Sequence, residues 1–320
     1  MTQQTLAKAA DQQSAFEQYR RPTRRDGVLS TMEQIVPWSA LCAVIAPQSP
    51  KAGKGRPPIG LERMLRMYFV QHWFNLADQA CEEALLDSTA LRVLVGIDLG
   101  RERVPDATTL LKFRRLLERD DLGSELFAEV NTHLQVHGLK VGTGTLVDAT
   151  LIAAPSSTKN ADKAREGGMH QTRKGQQWYF GMKLHSGVDS RTGLVHSAAV
   201  TAANLHDKHL IGDLLHGGER RLYGDTAYAS QKELIRAHAP HARDFTNRRV
   251  RNGGHVDEAE RRRNRNKSKV RARVEHVFAV VKRLWGFAKV RYRGLAKNAN
   301  RRFVALGLAN LSLSRTRLVG

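Results

Sequence analysis

Three acids in this chain stand where acids are unfavourable. Asp148 lies in TLVDATLI, inside an apolar run of strand character. An unpaired carboxylate there needs a cleft, a metal or a partner charge. Asp225 closes the short apolar stretch of LYGDTAYAS, and strand carboxyl ends in α/β sheets are where ligands bind. Glu275 is the single acid of RARVEHVFAVVK (271–282). It comes after RRRNRNKSKVRARV (261–274), in which eight of fourteen residues are Lys or Arg. Each acid alone has a plain reading: a strand-edge Asp, a turn Asp, and an Arg271–Glu275 surface pair. The surface pair leaves the two aspartates unexplained.

Together, two aspartates and a glutamate in a basic chain suggest a divalent-metal site for phosphoryl transfer. Hard cations such as Mg²⁺ take carboxylate oxygens, with phosphate and water completing the shell. Two ions about 4 Å apart activate an attacking oxygen and stabilise a leaving one. Bare carboxylates repel a phosphodiester; metal ions invert that repulsion, and flanking Arg and Lys hold the rest of the polymer.

The composition agrees. The chain has 320 residues, 52 Lys and Arg against 31 Asp and Glu, and a net charge of +21. Such an excess points to a polyanionic partner, nucleic acid above all. Cys42 and Cys81 lack zinc-ligand spacing and read as small apolar residues in a reducing cytosol. No secretion signal or membrane span is expected.

The elements that must position the acids are read from periodicity. Residues 1–30 are polar, with a basic patch at 20–25, and are expected to form a flexible basic arm. A helical domain is expected over 31–135. In it, Leu61, Met64, Leu65 and Tyr68 keep helical spacing, and Asp106 caps a helix that buries Leu110, Phe113 and Leu117 before a stop near Gly123. Lys112, Arg114 and Arg115 lie off that stripe, on a solvated face or one that enters a DNA groove. Over 136–320 the pattern turns to α/β. Strands are expected at 143–155, 181–189, 192–200 and 220–225, and helices at 207–216 and 230–238. A basic loop then leads into a long helix from about 266 to 285, and a last helix spans 300–314. On the long helix Arg271, Glu275 and Lys282 share one side, while Val274, Val277, Val281 and Leu284 form an apolar seam.

These residues resemble DDE-type bacterial insertion-sequence transposases, in the group that includes insertion sequence five. LVDATLI is similar to the segment with the first catalytic Asp, WYFGMKLHSGVD to the W-x-G-x-K-x-H strand, LYGDTAY to the second Asp, and RARVEHVFAVVKRLWGF to the Glu segment. GRPPIGLERMLRMYFVQHWFNLADQACEEALLDS is similar to the N-terminal domain of these proteins. A Tyr common three residues before the Arg is Ser268 here. The short interval from Asp225 to Glu275 leaves little room for an inserted β domain.

The resemblance implies an RNase H-like catalytic domain in which Asp148, Asp225 and Glu275 hold two Mg²⁺ ions, with Mn²⁺ able to substitute. It implies cleavage at element ends and strand transfer by transesterification. The implied partners are terminal inverted repeats, target DNA and a second copy of the chain, in a nucleoid-associated cytoplasmic protein. Arg271 and Lys282 are implied DNA contacts, and Lys183 and His185 candidates for the scissile phosphate. His206 and Asp207 carry a weaker signal. Arg261, Arg262, Arg263, Arg265, Lys267, Lys269 and Arg273 form the expected track for the phosphate backbone. A DNA-binding protein that has lost activity and a nuclease that stops after cutting are the alternatives.

Overall fold

The structure is a computed structural model, and it describes residues 21–51, 58–139, 141–159, 163–229, 231–252 and 255–319. The described chain begins at Arg21, so most of the expected arm lies outside it. Residues 24–30, expected in that arm, instead start helix α1 (Arg24–Ile35). Thr23 and Asp26 form a reciprocal capping box there, and Leu29, Met32 and Ile35 are buried. Pro37 separates α1 from α2 (Trp38–Ile45).

Helices α3 (Leu61–Trp73), α4 (Asp78–Asp87), α5 (Thr89–Val95), α6 (Ala107–Arg119) and α7 (Leu122–Val136) complete the N-terminal helical region. Asp106 caps α6, accepting from the Thr109 amide at 2.6 Å. Gly123 does not stop this helix but sits inside α7. A Cβ at Gly123 would lie 2.3 Å from Asn300 Oδ1, so glycine is required by close packing. Arg114 is not on an exposed face. It is 5 % exposed, meets Asp78 through both terminal nitrogens (2.5 and 3.0 Å), and stacks on Tyr292.

The C-terminal region is built on a sheet of β1 (Gly144–Ala153), β2 (His170–Lys174), β3 (Gln177–Asp189), β4 (Val195–Ala202), β5 (Arg221–Tyr223) and β6 (Arg243–Asp244). β1 runs antiparallel to β3, and β3 to β4. β5 and β6 add in parallel on the other side of β1. The central order β4-β3-β1-β5-β6, with helices on both faces, is the RNase H-like α/β arrangement expected from the sequence. The hairpin β3–β4 turns over Ser190–Leu194, where Asp189 accepts from the Arg191 and Thr192 amides. The stretch expected as a helix at 207–216 is a 3₁₀ turn (Asp207–Leu210) running into the short α8 (Ile211–Leu214). α9 (Lys232–His238) comes next, and β7 (Arg251–Asn252) pairs with β8 (His255–Val256) as a small ribbon.

Helix α10 (Glu258–Phe278) starts eight residues before the expected position, so the basic run is helical and not a loop. Asp257 caps it, accepting from the Glu260 amide at 2.9 Å. Residues Ala279–Leu284 continue as a π-helix. The wider turn rotates the side chains beyond it, so the expected apolar seam breaks: Val281 is fully buried and Leu284 is 73 % exposed.

The last helix, α11 (Leu295–Leu318), joins the two regions. Asn310 donates to Asn131 Oδ1 of α7 (2.8 Å) and to the Val195 carbonyl of β4 (2.7 Å), and accepts from the Val195 amide (2.9 Å). One apolar core therefore runs from Leu29 through Leu126 and Leu146 to Leu311. A smaller core on the other sheet face holds Val147, Leu210, Leu222 and Tyr228. No single described helix is long and apolar enough to cross a membrane.

Candidate active site

Two of the three acids meet because of strand register. In the parallel pair, Leu146 of β1 lies beside Tyr223 of β5. Two residues further along stand Asp148, within β1, and Asp225, just past the end of β5, near enough that the charge of Asp225 acts on Asp148. Asp225 is fixed by its own turn, accepting from the Ala227 amide at 2.8 Å. Asp148 is largely buried. Burial pushes its carboxyl up to about 6, Arg271 of α10 opposes that, and the charges of Asp225 and Asp207 add to it.

Asp207, weak in sequence, is thus a third acid of this neighbourhood. Its Oδ1 accepts from Lys183 Nζ at 2.9 Å, and Lys183 also donates to the Leu205 carbonyl at 2.8 Å. Tyr228 is a second addition. Its hydroxyl is buried without a hydrogen-bond partner, and its ionisation is suppressed by burial and then by Asp207, Asp148 and Asp225. The signal was available, since DTAY places Tyr228 three residues past Asp225.

The other expected residues separate into distinct roles. β3 does pair with β1, but Asp148 faces Ser186, whereas His185 lies across from Ala149 and Lys183 across from Leu151. Alternation puts Lys183 and His185 on the opposite face from Asp148. His185 is fully buried, its Nε2 hydrogen-bonded to Thr201 Oγ1 at 2.9 Å, and burial holds it down at about 4. Neither side chain is presented to a phosphate here. Lys282, re-aimed by the π turn, donates to Thr150 Oγ1 and to the Leu151 carbonyl, both at 3.0 Å, and so ties the helix to β1. His206 accepts from the Lys208 amide and caps the 3₁₀ turn.

Arg271 is partly buried and turned toward Asp148. Glu275, one helical turn on, is exposed. Among the described residues, no group of three or more His, Cys, Asp or Glu side chains is arranged to hold a metal ion. Asp148 and Asp225 nonetheless fit a hard divalent cation: they are adjacent oxygen donors whose charges oppose one another, in a site with more acid than base.

Along α10 the basic run divides. Arg261 pairs with Glu258 (3.1 Å), Arg263 with Glu260 (2.9 Å), and Lys267 with Glu260 and the Thr246 carbonyl. Arg273 donates to the Ser190 carbonyl. Arg262, Arg265 and Lys269 are exposed, at spacings of three and four that set them on one stripe. Ser268 accepts from Asn247 Nδ2 at 3.2 Å, which binds the helix to the loop after β6.

Asp148 lies inside β1 and Asp225 just past the end of β5, with a cationic helix beside them, an arrangement suited to phosphoryl transfer on nucleic acid. Comparison with known proteins gives the family. Residues 140–311 match the family described as "Transposase DDE domain", and residues 16–116 match a "Transposase domain". The chain belongs to the DDE transposases, enzymes of DNA transposition. Such enzymes work with divalent metal ions. A solved structure, the piggyBac transposase synaptic complex with hairpin DNA, is similar over 93% of this chain and 77% of that one, at 10% identity and a TM-score of 0.47.

Proposed function

We propose that Asp148, Asp225 and Glu275 hold two Mg²⁺ ions and that the chain cuts DNA at terminal inverted repeats, then joins the freed 3′ end to target DNA. The observation that supports this reading is the parallel pairing of β1 with β5, two residues past which stand Asp148 and Asp225, with the charges of Asp225 and Arg271 both acting on Asp148. The metal ions, when bound, supply a nucleophilic oxygen at neutral pH and charge stabilisation at the leaving oxygen. Asp225 is oriented for this by its amide hydrogen bond. Arg271 balances Asp148 until a cation arrives. Glu275, exposed one turn beyond Arg271, is available to complete the donor set. The exposed stripe of Arg262, Arg265 and Lys269 binds backbone phosphates. Membership of the insertion sequence five group and pairing of two ends by a homodimer belong to the same proposal.

The test is cleavage of linear DNA bearing the repeats that flank the reading frame. Mg²⁺ or Mn²⁺ should support cutting, and Asp225→Asn and Glu275→Gln should each lower it on the order of 10³-fold, a loss of several kcal/mol. Wild-type cutting by Glu275→Gln would remove Glu275 from the site and leave the two aspartates in place.

A further inference from the structure

A cavity of about 570 Å³ opens beside Thr226, the residue directly after Asp225. Arg248, Arg249, Arg251 and Arg261 line it together with Asn247 and Asn264. Arg261 is paired with Glu258. The other three arginines are exposed, and none has an ion-pair partner among the described residues. Several guanidinium groups on one cavity wall make it electropositive and receptive to an anion.

The wall is held at both ends. The Asn247 amide donates to the Gly224 carbonyl at 3.0 Å, which fixes the loop to the segment carrying Asp225. Asn264 of α10 clasps the backbone of Arg248, donating to its carbonyl at 2.7 Å and accepting from its amide at 3.2 Å. Asn247 Oδ1 is buried without a partner. A pinned loop presenting several forked donors is suited to phosphate oxygens, which planar guanidinium groups bind through paired hydrogen bonds.

We propose that this cavity binds phosphodiester groups of the DNA strand next to the one that reacts at Asp148 and Asp225. The cavity's place next to the cutting point rests on the proposed transposase function; its anion chemistry does not. The small β7–β8 ribbon supports the loop, in the interval where the sequence leaves little room for a larger insertion.

The experiment measures the salt dependence of binding to a short fluorescent DNA duplex in EDTA. It compares the full chain with Arg248→Gln/Arg249→Gln/Arg251→Gln and with Arg220→Gln/Arg221→Gln/Arg243→Gln. The second set lines a separate basic cavity around the start of β5 and removes the same charge. The first variant should lower the slope of log K against log salt by about 2 to 3, at about 0.9 per lost phosphate contact, and the second by less than about 1. Equal losses, or no loss in the first variant, would overturn the proposal. Arg249→Gln alone, expected to lower the slope by about 1, answers the question if the triple variant unfolds. Asp225→Asn should keep the wild-type slope. If it also cuts DNA at the wild-type rate, the catalytic assignment fails and the cavity stands.

Discussion

Two parts of this molecule bury charge, and they bury opposite signs. Around Asp148 the charge is acid: Asp225 and Asp207 both act on it, Arg271 answers Asp148, and Lys183 pairs with Asp207. Around Phe287 the charge is basic: Arg301 and Arg302 are 2 % and 1 % exposed, with Arg291 nearby. The bases are answered by rings and carbonyls. Arg301 stacks 3.8 Å and Arg302 5.0 Å from the Phe287 centroid, Arg302 donates to the Lys289 carbonyl, and Arg291 donates to the Asn75 and Leu76 carbonyls. Ring faces and carbonyls come from the chain itself, and the basic cluster joins the helical region to the sheet. Crowded carboxylates oppose one another's ionisation, and an acid perturbed in this way is a candidate functional group.

The comparison can be broken most sharply at Phe287. Phe287→Ala removes a fully buried ring and the stacking surface of two arginines, and should cost about 3–5 kcal/mol, read as a lower midpoint in urea unfolding. A loss under about 1 kcal/mol would mean that the ring does not organise the cluster.

At the acid site the sign reverses. The Asp148 carboxyl is raised from 3.8 to about 6 in the folded chain, so between those values the folded state holds a proton that the unfolded state has released. Stability from this group is present below about pH 4 and is lost as pH rises through about 6, a change of about 3 kcal/mol. In chelator, Asp148→Asn should therefore melt above the wild type at pH 8, with the difference vanishing near pH 4. The same variant should not cut DNA. An unchanged melting difference from pH 4 to pH 8 would remove the claim of strained acids.

A smaller effect tests the compensation of Asp207. Lys183→Met leaves that carboxylate without its partner and should cost about 2 kcal/mol in urea unfolding. Adding Asp207→Asn should restore most of it. Additive losses in the double variant would show that the pair is not coupled.

The smallest effect is expected at Arg302. Its Nε and one terminal nitrogen have no partner, and burial lowers it to about 9. Arg302→Met keeps the volume and removes the desolvation penalty, so stability should change by less than about 1 kcal/mol. A loss beyond about 3 kcal/mol would make the guanidinium itself essential to the joint.

What could be read from sequence was mostly local. The strand around Asp148, the β3–β4 hairpin and the Asp106 cap were legible because alternation and capping act over a few residues. The face of Lys183 and His185 was not, because it depends on how β3 is offset against β1, and one step of register flips every side chain. The start of α10 was missed through the charge of the run, although Asp257 and Glu260 stand at capping spacing. The burial of Arg114, Arg301 and Arg302 was also not legible. Their burial arises from contacts between helices far apart in sequence, which no local pattern records.

The π segment at the end of α10 has an evolutionary consequence. An i→i+5 turn stores one surplus residue inside a helix whose two ends stay in place. Upstream lie Arg271 and Glu275; the anchor Lys282 sits within the segment, and Phe287 lies downstream. A lineage of such proteins can thus lose or regain one position between these halves, trading the buried phase of Val281 for that of its neighbours. Residue counts between the glutamate and the last helix are free to drift by one while the glutamate keeps its place.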